Sequence, residues 1–163
     1  MRIRQTARLL VIDDQQRVLL FHIHDERPLH EAYPDMSVYW ITPGGGIEEH
    51  ETVEQAALRE LWEETGIQAG TIGPCVWRYE RILHLSKETL LQQERFFLVR
   101  VPNSDVSMLQ MLPYEQETHR AYRWWSQHEL AQSQEIFLPP GLPRLLAPLL
   151  GGDIPAEPLQ LPT

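Results

Sequence analysis

The chain has a single cysteine, Cys75, among 163 residues. That excludes an intramolecular disulfide and suits a reducing cytoplasm. Cys75 falls in an apolar, strand-like run with no catalytic motif around it, so a buried, inert thiol is expected. No apolar run approaches the roughly 20 residues of a membrane-spanning helix. The start, MRIRQTARLLVIDD, lacks the long apolar region and small-residue cleavage site of a signal peptide. A cytoplasmic protein with no membrane partner is the expectation. Basic residues are outnumbered: 14 Lys and Arg stand against 23 Asp and Glu, a formal net charge of −9. A nucleic-acid duplex wants a basic footprint, so it is not the expected partner; nucleotides are not excluded. There is no internal repeat and no sign of a second domain. The length suits one domain with a proper core. That domain is read over residues 1–150. Residues 151–163, rich in proline and glycine, read as a flexible, poorly ordered tail.

What is present is concentrated in residues 44–67, GGGIEEHETVEQAALRELWEETGI. A glycine-rich turn leads directly into a short helix. Thr52 can cap it, and Gln55, three residues on, completes a capping box. Glu54 sits in the first turn, where the helix dipole favours an anion. Val53, Ala56, Ala57 and Leu61 trace an apolar stripe, and Gly66 ends the helix. The expected helix runs from Val53 to Thr65. Glu60, Glu63 and Glu64 then share one face, because residues three and four apart are neighbours. Like charges at that spacing destabilise a helix, and folding does not ask for them. A hard divalent cation such as Mg2+ would turn the repulsion into coordination. A solvated acidic face is the ordinary alternative; the glycine turn and Arg59 weigh against it. Arg59 is expected to pair with Glu51 or another carboxylate, holding the loop against the helix.

Gly45, Glu51, Arg59-Glu60-Leu61, Trp62, Glu63-Glu64, Thr65 and Gly66-Ile67 together are similar to a complete Nudix box, with no fixed position missing. The flanking pattern extends the resemblance over most of residues 4 to 131. The resemblance implies an α/β fold, an α/β/α sandwich with a mixed sheet. It implies a Mg2+- or Mn2+-dependent pyrophosphohydrolase that cuts a nucleoside diphosphate linked to another group. It makes Glu60, Glu63 and Glu64 metal ligands, with the carbonyl of Gly44 as a further one. Glu60 would also help to orient or deprotonate the attacking water. Arg59, Glu51, Gly45 and Gly66 would support the site. A loop glutamate is often a further catalytic group in this family; Glu117 is the candidate and Glu115 its rival, against a solvated loop acid. Homodimers are frequent in the family, so self-association is also an expectation.

Around the motif the chain reads as strands. Arg8 to Ile12 and Arg17 to His24 form a hairpin. Residues 25–37 are a loop. Val38 to Thr42 feeds the glycine turn. Gly70 to Pro74 is a turn, and Cys75 to Leu85 and Leu91 to Val101 flank a tip at Ser86-Lys87-Glu88. Residues 102–116 read as a loop and Tyr122 to Trp125 as a strand. Ser126 caps a helix, and Leu142 to Leu150 is a last helix.

Other residues carry weaker expectations. Arg4, Arg8, Arg78, Arg81 and Arg95 are candidates to grip phosphate oxygens, against ordinary salt bridges. Glu94 faces either the metal site or water. His22, His24, His84 and His119 have no metal-ligand spacing with another His or Cys, so zinc is not expected. Tyr39, Trp40, Trp77, Tyr79 and Phe96 offer at most one platform for a base, against a place in the core. Trp124 and Trp125 are adjacent and must point to opposite faces of a strand. Two further readings compete with the hydrolase: a non-hydrolytic nucleotide-binding regulatory module, and an isoprenoid-diphosphate isomerase. Loss of box acids would favour the first. The second wants a cysteine with a glutamate in the pocket, and Cys75 is the only thiol.

Overall fold

A computed structural model describes residues 1–25, 37–69, 71–85 and 87–162. The strands are β1 (Arg2–Ile12), β2 (Val18–His24), β3 (Val38–Ile41), β4 (Gly44–Gly46), β5 (Cys75–His84), β6 (Thr89–Arg100), β7 (His119–Trp125), β8 (Phe137–Leu138) and β9 (Leu159–Gln160). The helices are α1 (Val53–Thr65), α2 (Pro113–Thr118), α3 (Gln127–Gln132) and α4 (Leu142–Leu150). The expected loop over 25–37 lies almost wholly outside the described residues, as do Gly70 and the tip residue Ser86.

The sheet is mixed, in the order β8-β3-β2-β1-β6-β5-β9, with β4 paired to β1 and β7 to β2. β1 runs parallel to β6 over its whole length, from Arg2 opposite Leu90 to Ile12 opposite Arg100. That long pairing is why β1 starts at Arg2 rather than at Arg8. The turn into β2 is closed by Asp13, whose Oδ1 accepts from the backbone N–H groups of Gln15 and Arg17, both at 2.9 Å. On its other edge β1 carries the glycine segment, with Arg8 opposite Gly44 and Thr6 opposite Gly46. The glycine turn is therefore a short strand of the sheet, held in register with β1.

Each face of the sheet has its own core. Ala56, Ala57 and Leu61 of α1 pack with Leu9, Val11, Phe97 and Trp124. On the other face Leu142, Leu146 and Leu149 of α4 pack with Leu10, Trp77, Phe96 and Trp125. Helices thus cover both faces, as the α/β sandwich expectation held, and the adjacent tryptophans do divide between the two cores. Trp40, Trp77, Tyr79 and Phe96 are core residues in the second cluster, so they offer no platform for a base.

Two expectations change. Pro113 at the start of a helix fits the N1 position, where the missing N–H costs nothing; α2 therefore occupies the end of the segment read as a loop over 102–116. The tail is not loose. Leu159 and Gln160 pair with the edge of β5, the Leu161 N–H donates to the Arg78 carbonyl at 2.8 Å, and Leu161 is buried. Proline and glycine forbid a long element there, but an open sheet edge and one leucine suffice to anchor the chain. Leu161→Ala is expected to cost about 2 kcal/mol through the lost apolar burial and the cavity left behind. Thermal unfolding monitored by circular dichroism checks it, and an unchanged midpoint means the tail contributes no stability.

Candidate functional site

The helix α1 forms where local chemistry dictates. The Thr52 hydroxyl accepts from the Gln55 N–H at 3.1 Å and the Gln55 side chain accepts from the Thr52 N–H at 2.8 Å. Gly66 adopts φ 70°, a left-handed conformation that suits glycine, and its N–H donates to the Trp62 carbonyl at 2.8 Å. Between these caps the helix presents Glu60 and Glu64 inward, both buried, while Glu63 is half-buried.

Arg59 ties the preceding loop to this helix. Its Nε donates to Glu51 Oε2 at 2.7 Å and its Nη2 to Glu51 Oε1 at 2.9 Å. Nη2 also reaches the Gly46 carbonyl at 2.9 Å, and Nη1 donates to Glu60 Oε1 at 3.0 Å and Glu63 Oε2 at 3.2 Å. One guanidinium thus gathers three carboxylates and the end of the glycine strand. The glycines give room for this. A Cβ at Gly45 would stand 2.4 Å from Glu60 Oε1, and one at Gly44, with φ 145°, would stand 2.2 Å from the Ala7 carbonyl. The Gly44 N–H donates to both carboxylate oxygens of Glu64 at 3.4 Å.

The acids meet residues from α2. Ligand atoms of Glu60, Glu63 and Glu115 lie within 4.8 Å of one another, and so do those of Glu64, Glu115 and His119. Glu115 is buried, and its Oε1 has no hydrogen-bond partner among the described residues. Burial raises the Glu64 carboxyl well above its ordinary range, with Glu115 and Glu60 adding to the rise. Burial also raises Glu60, where Glu115 adds and Arg59 opposes, and raises Glu63 together with the charge of Glu60. Clustered carboxylates with an orphaned buried oxygen are costly unless something cationic sits among them. Oxygen-rich donors with one imidazole fit a hard divalent cation. His119 is held at about 4 by burial, so it is neutral at pH 7 and free to offer a nitrogen lone pair.

Glu117 does not join this group. It is exposed on α2, and Glu115 is the helix residue turned to the acids. The two residues are two apart, so a helix points them to different sides. His119, which had no partner in the linear sequence, is brought in because it follows α2 at the start of β7. The local signal for Glu115 is Pro113 as a helix start; His119 lies beyond the helix, at its extended C-cap, and no helical spacing points to it.

A cleft of about 370 Å³ opens beside the acids, lined by Gly44, Glu60, Glu115 and His119 on one part of its wall and by Arg4, Arg8 and Arg81 on another. Arg78 and Arg95 are exposed and do not line it. Glu94 faces neither water nor the acidic group. It is buried, accepts from Arg8 Nε at 2.7 Å and stands 3.4 Å from Arg81 Nε. Burial pushes the Glu94 carboxyl up, but Arg81 and Arg8 outweigh it and hold it at about 2. Tyr39 lines the cleft; Cys75 does not.

Residues 2–146 match the model of the NUDIX domain. The chain belongs to the Nudix family. The RNA pyrophosphohydrolase of Sphingopyxis alaskensis is 29% identical over 112 residues, which cover 61% of this chain and 66% of that protein. The RNA pyrophosphohydrolase of Pseudomonas aeruginosa is 34% identical over 97 residues, covering 53% of this chain and 60% of that one. The chain thus spans less than two thirds of the length of these curated relatives. Among solved structures, the E. coli ORF135 protein is 26% identical with a TM-score of 0.61, covering 96% of each chain. MutT protein from Methanosarcina mazei Go1 is 19% identical, with a TM-score of 0.61 and coverage of 83% and 85%, and shares the fold. The Nudix fold accounts for the mixed sheet between helices, and no helix among the described residues is long and apolar enough to cross a membrane.

Proposed function

We propose that this Nudix chain, read as one domain over residues 1–150, is a divalent-metal-dependent pyrophosphohydrolase. It cleaves a nucleoside diphosphate linked to another group. The observation that carries this reading is that Glu60, Glu63 and Glu115, and likewise Glu64, Glu115 and His119, bring ligand atoms within 4.8 Å of one another, with Glu60, Glu115 and His119 lining a cleft. Mg2+ or Mn2+ is the proposed ion, because the donors are mostly carboxylate oxygens. When bound, such an ion polarises phosphoryl oxygens and lowers the pKa of a coordinated water. Glu60, Glu63 and Glu64 are its proposed ligands, with the Gly44 carbonyl. Glu115 takes the place first given to Glu117. Glu60 is the residue proposed to accept a proton from the attacking water, since burial already lifts its affinity for one. Arg59, Glu51, Gly45 and Gly66 keep these carboxylates where phosphoryl transfer needs them, as positioning dominates that chemistry.

The named relatives support a finer reading of the substrate: the phosphorylated end of an RNA. A protein of net charge −9 suits capture of a phosphate chain at a charged cleft better than capture of a duplex. The regulatory-module reading has no lost box acid to support it. The isomerase reading has no thiol in the cleft.

The test is a hydrolysis screen with Mg2+ or Mn2+, with and without EDTA. Its panel holds nucleoside triphosphates, nucleotide sugars, ADP-ribose, dinucleoside polyphosphates and 5′-triphosphorylated RNA. EDTA-sensitive cleavage of one class is expected; absence of cleavage across the panel overturns the reading. In the same assay Glu115→Gln is expected to lower turnover at least roughly tenfold, as loss of a group at the metal does. Glu117→Gln is expected to leave it within about twofold, as an exposed surface change does. Equal effects of the two would overturn the exchange of roles.

A further inference from the structure

One of the two donor groups among the acids differs from the other in kind. Glu60, Glu63 and Glu115 offer oxygen alone, whereas Glu64, Glu115 and His119 add a ring nitrogen. In the sequence His119 has no second His or Cys at ligand spacing; the fold gives it two carboxylates instead. The junction of α2 and β7 holds its ring in one state. The Glu115 carbonyl accepts the His119 backbone N–H, and the same carbonyl lies 2.9 Å from Nδ1 of the ring. Thr118 Oγ1 is 3.2 Å from Nδ1, but its hydrogen goes to the Glu115 carbonyl at 3.3 Å. A carbonyl oxygen only accepts, so Nδ1 carries the hydrogen of the neutral imidazole and Nε2 keeps its lone pair. Metal-binding histidines are oriented this way, with the other ring nitrogen donating to a carbonyl or carboxylate. Phe21, fully buried, meets the ring edge-on with centroids 5.2 Å apart and fixes its plane.

Nε2 faces Glu64 Oε2 across 4.0 Å. That is too long for a hydrogen bond. It suits two donors on one ion: ligands about 2.1 Å from a metal stand roughly 3.0 to 4.2 Å apart, from adjacent to opposite places. A second observation points to the same spot. Glu115 is 6% exposed, and its Oε1 has no hydrogen-bond partner among the described residues. Buried acceptors are almost always satisfied, and a buried carboxylate is costly without a cation. No arginine among the described residues forms an ion pair with Glu64 or Glu115. Arg8 and Arg81 of the same cleft turn to Glu94, at 2.7 and 3.4 Å, and Arg59 turns to Glu51, Glu60 and Glu63. Arg4 stands beside Gly46.

We propose that Glu64, Glu115 and His119 form a mixed nitrogen–oxygen cation position that selects a transition ion of the Fe2+, Co2+ or Zn2+ kind over Mg2+. Mg2+ is hard and keeps to oxygen ligands and water, while an imidazole nitrogen adds affinity for the later first-row ions. The oxygen-only group of Glu60, Glu63 and Glu115 lacks that added preference. Glu115 belongs to both groups, so an ion held by His119 lies next to the one proposed for hydrolysis. Its bearing on turnover rests on the hydrolase reading; its binding does not.

Isothermal titration of the metal-free full chain with Co2+ and with Mg2+ tests it. His119→Gln is expected to weaken Co2+ binding by roughly tenfold or more, as loss of a group at a metal does, and Mg2+ binding by less than about threefold. Thermal unfolding in EDTA shows whether the variant is folded. A second readout uses the wild type alone: nitrogen NMR of the imidazole rings during Zn2+ addition. The ring that shows proton contacts to Phe21 should move its Nε2 signal to the metal-bound range, while its Nδ1 keeps a hydrogen. An unchanged Co2+ affinity in folded His119→Gln, an equal loss for both ions, or an unmoved Nε2 signal would each overturn the position. Co2+ binding that depends on His119, with no hydrolysis of any nucleotide in any metal, keeps the position and overturns the hydrolase reading. Mg2+-dependent hydrolysis with an unmoved Nε2 signal does the reverse.

Discussion

Glu64→Gln is expected to reduce metal-dependent turnover by roughly a hundredfold or more, because an ion that loses a carboxylate ligand loses part of a stabilisation worth several kcal/mol. The same change should leave the metal-free protein as stable as before, or more stable. Glu64 is 1% exposed, and its carboxyl is already raised by burial and by Glu115 and Glu60. Glutamine keeps the shape and an oxygen for the Gly44 N–H, and removes a like charge from a crowded interior. A buried carboxylate crowded by like charges is costly to keep ionised, so its replacement by a neutral isostere is neutral or stabilising. Two measurements separate the effects. Thermal unfolding in EDTA should show an equal or higher midpoint for the variant. Unfolding in Mg2+ should show a midpoint rise for the wild type that the variant lacks, since a ligand that binds only the folded state stabilises it. Near-wild-type turnover, or a strongly lowered midpoint in EDTA, would mean that Glu64 is a structural acid and not a metal ligand.

Arg59→Ala should be the most disruptive single change in the loop and helix. It removes five hydrogen bonds at once: two to Glu51 and one each to Gly46, Glu60 and Glu63. It leaves three carboxylates facing each other without their common counter-charge. The site is partly exposed, so the Coulomb contribution is softened by solvent. The lost charge-assisted bonds are still worth about 2–3 kcal/mol, which in a domain of this size lowers the melting midpoint by roughly 5–10 °C. Arg59→Lys keeps the charge but not the fork, so it should recover less than half of that loss. Turnover should fall in both variants, because Glu60 and Glu63 lose the group that orients them. An unchanged midpoint in Arg59→Ala would show that the loop is held by its other contacts.

The two predictions draw on different parts of the chain's legibility. The helix over Val53–Thr65, both of its caps and the Arg59–Glu51 pair are readable in the linear sequence. Each depends on residues within about two turns of one another. Capping boxes, C-terminal glycines and i, i+4 neighbours are local geometry, and residue type at fixed spacing is enough to fix them. The helix from Leu142 and the cap at Ser126 were readable for the same reason.

What the sequence alone could not choose was settled by pairing across long separations. Glu115 and Glu117 look alike in a segment read as a loop. Only the docking of α2 beside α1 decides that Glu115 meets Glu60 and Glu64. Arg4, Arg8, Arg81 and Arg95 are equally basic on paper. The parallel register of β1 with β6, and the antiparallel register of β6 with β5, turn three of them into one cleft and leave Arg95 outside. Glu94 finds Arg8 across 86 residues of chain. The tail becomes part of the sheet because β5 has a free edge, a property of the assembled sheet and not of the tail. Local spacing determined the helix, its caps and the row of acids, because those interactions close within a few residues. Tertiary structure decided which further groups the acids meet and where the arginines stand. Strand register is set by burying a whole face at once, and no short window of sequence contains that information.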